Sequence, residues 1–93
     1  MRTVKRTAQF RRDFKRAKRG VHGGHLDATL FEALELLATD VPLPSRYVDH
    51  PMKGQYSDCR DCHLRPDLVL VYRKRDTNIL ELIRIGTHAQ LAI

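Results

Sequence analysis

Five histidines fall within 93 residues, and three of them, His50, His63 and His88, lie at loop or strand-end positions in or beside a C-terminal half patterned as strands. Imidazole, with an unperturbed pKa of about 6.5, can act as base or as acid near neutral pH. Other chemistry-bearing groups stand close by. Asp61 is two residues from His63, so on one strand their side chains share a face. Asp67 follows the turn at Arg65-Pro66 and comes near His63 if the flanking strands pair antiparallel. Arg84 lies at the end of the last strand, just before His88. Breaking an RNA phosphodiester without a metal requires a base for the 2′-hydroxyl proton, an acid for the leaving 5′ oxygen, and a cation for the charge on phosphorus. Histidine, carboxylate and arginine supply those roles, although composition alone does not separate such histidines from structural ones.

The elements that must position these groups are readable in outline. Residues 2–6 read as a short strand with Val4 its one strongly apolar residue. Phe10, Phe14 and Ala17 recur at helical spacing and predict a basic amphipathic helix ending near Gly20. Beyond the glycines at 20, 23 and 24, Leu30, Leu34 and Leu37, with Phe31 alongside, predict a second helix to about Thr39, with Asp27 as its N-cap. Pro42, Pro44 and Pro51 make 40–54 a connecting segment that carries His50. Strands are expected at 55–64, 67–73 and 79–85, the last two forming an antiparallel hairpin, and Thr87 to Ile93 reads as a tail. The expected fold is one domain over 1–93, α+β in the order β-α-α-β-β-β, with two helices on one small, mainly antiparallel sheet.

The 17 Lys+Arg against 11 Asp+Glu give +6, and nine of the cations lie in residues 1–20, opposed there only by Asp13. Such a concentration favours a phosphate-bearing or acidic partner over a merely solvated face. Arg11, Arg12, Lys15, Arg16, Lys18, Arg19 and Lys53 are the candidate contacts to RNA phosphates. No apolar run approaches the ~20 residues needed to span a bilayer and no secretory signal is evident, so the expected location is the cytoplasm. There, Cys59 and Cys62 would remain thiols. Cys59-Arg60-Asp61-Cys62-His63 fits the haem-attachment pattern C-x-x-C-H, but without the export signal or helical context that haem attachment needs. A zinc site fits poorly too, because residues three apart on a strand point to opposite faces. No metal or other cofactor is expected.

Leu43-Pro44, Tyr47, Asp49-His50-Pro51, Lys53-Gly54, Arg60-Asp61, His63, Pro66-Asp67, Leu70, Tyr72 and Arg84-x-Gly86-Thr87-His88-Ala89 together resemble the YafQ-like branch of the RelE/ParE toxin superfamily. The resemblance implies a toxin of a type II toxin-antitoxin pair that cleaves messenger RNA in the ribosomal A site and is neutralised by a cognate antitoxin. By motif, His50, His63, Asp67 and His88 match the family's catalytic positions. Asp61 would support them and Arg84 would stabilise the transition state, with His50 preferred as base and His88 as acid. Leu68 stands where some relatives carry tryptophan, and Ala92 where an aromatic often follows the leucine, so a base-stacking platform is expected to be missing. The rivals are a non-catalytic ParE-like inhibitor of another target, such as gyrase, and a basic nucleic-acid binding module. An acid-base set is superfluous to either.

Overall fold

Thr7 begins the first helix by accepting the Phe10 amide on its side-chain oxygen at 3.0 Å, which satisfies one of the free N–H groups of the first turn. In the computed structural model, which describes residues 1–93, this helix is α1 (Ala8–Lys18), and it follows strand β1 (Thr3–Arg6). Then come α2 (Leu26–Ala38), β2 (His50–Pro51), β3 (Arg60–Arg65), β4 (Leu68–Lys74), β5 (Ile79–Gly86) and α3 (His88–Leu91). The turn between α1 and α2 must include a glycine at 23, because a Cβ there would lie 2.1 Å from the Lys18 carbonyl oxygen.

The five strands lie in the order β1-β5-β4-β3-β2. β2 to β5 pair antiparallel, and β1 joins parallel to β5 with Thr3 opposite Ile79. One face of the sheet carries both long helices. Phe10 and Ala17 of α1 and Leu26, Leu30, Ala33 and Leu37 of α2 pack there on Cys62, Leu64, Leu68, Leu70, Tyr72, Leu80, Leu82 and Ile85. The opposite face holds a smaller cluster of Cys59, Val69, Val71 and Leu91, edged by Met52, Tyr56 and Ile83. No helix is long and apolar enough to cross a membrane.

Several expectations are corrected by the structure. The strand expected from residue 55 begins at Arg60, because a 3-10 turn at Gly54–Tyr56 starts with Gly54 at φ +67. The proline-rich connection contains β2, whose two residues pair with Arg60 and Asp61. Asp27 is not the N-cap of α2: His25 holds that position, and Asp27 sits in the first turn, where its charge complements the helix dipole and meets Lys18 Nζ at 2.7 Å. Phe31 faces outward, 62% exposed. The tail is partly helical: α3 has a reciprocal cap in which Thr87 accepts the Gln90 amide and Gln90 accepts the Thr87 amide. Cys59 and Cys62 are buried in the two separate clusters, so they cannot share a ligand. Burial pushes the Cys59 thiol up to about 11.

A register shift in β5 matters most for the site. Val71 opposes Arg84 and Tyr72 opposes Leu82, so Ile83 is an extra residue and the alternation breaks. Leu82 and Ile85 both face the helices, whereas Ile83 and Arg84 fall to the other side.

Candidate functional site: a row of three imidazoles

Alternation along β3 puts Cys62 and Leu64 into the helix-side core and turns Asp61 and His63 to the opposite face. Pairing of β2 sets His50 directly across from Asp61. The capped start of α3 brings His88 up to His63, at the far side of His63 from His50. The three rings form a row, with centroids 6.5 Å apart for His50 and His63 and 5.1 Å apart for His63 and His88.

Hydrogen bonds fix each ring. His88 Nδ1 lies 2.7 Å from Asp67 Oδ1, which also accepts the His88 amide at 3.0 Å. His63 Nδ1 faces the Tyr47 carbonyl at 3.4 Å, and the Nε2 atoms of His63 and His88 meet at 3.1 Å. Both Nδ1 atoms therefore face acceptors and carry hydrogen. Two neutral rings would then oppose lone pairs across the Nε2 contact. A proton on either of these two Nε2 atoms would turn the contact into a hydrogen bond, with one ring the donor and the other the acceptor. His50 Nδ1 donates to the Val48 carbonyl at 2.8 Å, which leaves its Nε2 as an acceptor. Val48, whose carbonyl sets this ring, has φ +48, a left-handed conformation costly for a β-branched residue.

Asp61 is 5% exposed. Its Oδ1 lies 3.1 Å from His50 Nδ1, yet that N–H is aimed at Val48, so the buried oxygen has no hydrogen bond. Burial raises the Asp61 carboxyl above the usual range, and attraction to His50, His63 and His88 partly offsets this. Asp67 is lowered, because the His88 amide and ring both donate to it.

Sequence reasoning placed Asp67 beside His63; in the structure its partner is His88. Arg84 lies on the imidazole face, but Val71 and Asp61 separate it in register from His50. Its Nε and Nη2 bond to the two oxygens of Asp13 at 2.6 and 3.2 Å, and Nη1 faces the Tyr56 hydroxyl at 3.4 Å. Asp13 is 1% exposed and also accepts from Gln9, Arg16 and the Ile85 amide, which β1 is too short to pair. Burial raises Asp13, but these donors outweigh it and hold the carboxyl below the usual range. Asp13 was missed as a positioning residue. A signal existed: it stands on the apolar face of a cationic helix, between Phe10 and Ala17.

Among the expected RNA contacts, Arg16 meets Asp13, Lys18 meets Asp27 and Arg12 meets Gln9. Lys53 borders a small cleft with His50 and Asp61. Arg11 and Lys15 on α1, and Arg19 just past its end, are exposed. Leu68 is buried on the helix side, 1% exposed, and does not reach the imidazoles. No group of three His, Cys, Asp or Glu side chains is arranged to hold a metal ion.

Two helices on one face of a five-stranded sheet, with an imidazole row on the other, place the chain among the small toxins of bacterial type II toxin-antitoxin systems. Within that class it belongs to the YafQ family, described as "Bacterial toxin of type II toxin-antitoxin system, YafQ", which matches residues 2–93. The Escherichia coli K12 protein named mRNA interferase toxin YafQ is 35% identical over 92 residues, spanning 97% of this chain and 95% of its own. A chain in the crystal structure of the E. coli DinJ-YafQ toxin-antitoxin complex superposes with a TM-score of 0.82 at 34% identity, over 97% of this chain and 96% of that one. The metal-bound toxin from Helicobacter pylori gives a TM-score of 0.84 at 41% identity, over 98% and 99% of the two chains.

Proposed function

We propose that this chain is the toxin of a type II pair and an endoribonuclease that cuts messenger RNA in the ribosomal A site, in the cytoplasm, until a cognate antitoxin neutralises it. This reading extends its kinship to the RelE/ParE superfamily. The observation that carries it is the His63–His88 contact, which sets two imidazole Nε2 atoms 3.1 Å apart, a spacing that lets one ring serve as general acid and the other as general base. A phosphodiester entering between the rings replaces that contact. One imidazole takes the 2′-hydroxyl proton, the 2′ oxygen attacks phosphorus, and the imidazolium protonates the departing 5′ oxygen, leaving a 2′,3′-cyclic phosphate. Asp67 holds the His88 tautomer. Asp61 steadies the imidazolium charge, and His50 Nε2 accepts from the same hydroxyl or orients it. Arg84, aimed by Asp13, offers its remaining guanidinium edge to charge on the phosphate oxygens. The H. pylori relative is described as metal-bound, whereas no three His, Cys, Asp or Glu side chains here converge as a metal set.

The exposed cations of α1 suit ribosomal RNA phosphates or an acidic antitoxin. Induction in cells followed by mapping of messenger 5′ ends tests the proposal. In-frame cuts that disappear with His88→Gln are expected. Growth arrest that persists in both His63→Gln and His88→Gln, with no new 5′ ends, would replace it with a non-catalytic inhibitor.

A further inference from the structure

β2 pairs only with Arg60 and Asp61, so β3 runs past it without a strand on its outer side. The 3-10 turn Ser45–Tyr47 and α2 border the resulting notch, leaving a cavity of about 700 Å³ with His63 on its wall. It is an open cleft, with the Arg46 and Glu32 side chains 63% and 58% exposed along it. Three features of its lining are chemically specific. The Arg46 guanidinium lies over the Tyr47 ring, its carbon 4.6 Å from the centroid, and presents a planar cation. Glu32 is bound by Arg46 and by the Tyr47 hydroxyl at 3.1 Å, interactions that lower its carboxyl below the usual range and keep it an acceptor. Arg65, at the mouth beside His63, has no carboxylate partner within ion-pair distance.

We infer that this cavity is a nucleotide subsite, holding the unpaired nucleotide of the RNA strand next to the phosphate at the imidazole row. The base stacks on the Arg46 plane, its exocyclic amino group donates to Glu32, and Arg65 takes the phosphate. Unpaired bases are commonly read by guanidinium planes and edge hydrogen bonds, and the Tyr47 ring in the lining is only 1% exposed and covered by Arg46, so the guanidinium is the flat face a base can reach. A base with an amino group is selected over uracil. This inference rests on the nuclease reading.

The test is the base composition flanking mapped messenger 5′ ends for the wild type, Glu32→Gln, Arg46→Lys and Arg65→Ala, each checked for an unchanged melting temperature. At one flanking position, Glu32→Gln and Arg46→Lys should reduce the preference for amino-bearing bases about tenfold. Arg65→Ala should slow cutting about tenfold with the preference intact. Unchanged flanking bases in both Glu32→Gln and Arg46→Lys would overturn the subsite. So would variants that keep the cut pattern but escape antitoxin neutralisation, which would make the cavity a protein-docking site. If the wild type makes no cuts that His88→Gln abolishes, the nuclease reading fails; if it does and the flanks do not change, only the subsite falls.

Discussion

On the helix side of the sheet, Leu68, Leu70, Leu80, Leu82 and Ile85 are at most 1% exposed and pack on two amphipathic helices. On the other side, four residues form the whole buried apolar cluster, and beside them lie a buried carboxylate without a hydrogen bond and a left-handed valine. Both faces belong to the same strands and differ only in which alternate residues they receive. The first face therefore accounts for most of the stability. The second retains groups that burial and backbone geometry disfavour, as happens where a site is held ready for chemistry.

That contrast can be broken by substitution. His88→Gln should lower RNA cleavage about 10²- to 10⁴-fold in a timed cleavage assay and leave the urea midpoint unchanged, since the side chain is partly exposed. A large loss of stability would make His88 a packing residue. Leu70→Ala, on the helix side, should cost about 2–5 kcal/mol in urea unfolding, with the remaining folded protein cutting at the wild-type rate.

Asp13→Asn removes a carboxylate whose folded pKa lies below its unfolded one. The carboxylate's contribution is present above the unfolded value and lost as pH falls through the folded value. The wild type should therefore lose stability on acidification through pH 4 and below more steeply than Asp13→Asn, a difference that melts across pH would measure. At neutral pH the variant should be less stable by about 3 kcal/mol, because it leaves Arg84 without its counter-charge. Parallel pH profiles would remove Asp13 from the account.

Asp61 has the opposite sign. Its folded pKa is raised, so its ionised form opposes folding as pH rises above the unfolded value. Asp61→Asn should melt at or above the wild-type temperature at neutral pH while cutting about tenfold more slowly. A variant both less stable and fully active would place Asp61 with the packing residues.

Much of this arrangement was legible in the chain. β4 and β5 announce themselves as apolar runs, and the two long helices by residues at helical spacing, because burial of whole faces imposes those periods. Asp61 and His63 could be placed on one face from the two-residue repeat alone. Other features depend on tertiary contacts that leave no period. α3 has four residues, too few to show one, so the Asp67–His88 pair was unreadable and Asp67 was assigned to His63. The extra residue at Ile83 redirects Arg84 without altering the apolar look of β5. β2 is two residues within a proline-rich segment and exists only because Arg60 and Asp61 lie beside it.

The pairing of β1 with β5 has a kinetic consequence. β2 through β5 are sequence neighbours joined by short turns, whereas Thr3 must find Ile79 across most of the chain. The entropy of loop closure grows with the logarithm of the span, so the meander forms at smaller cost and the amino-terminal strand closes late. Until it does, α1 has no fixed seat, Asp13 is absent from the bulge, and the Arg84 side chain swings free. The order of assembly thus leaves Arg84 waiting on the first residues of the chain, and mutations in β1 should speed unfolding more than they slow folding.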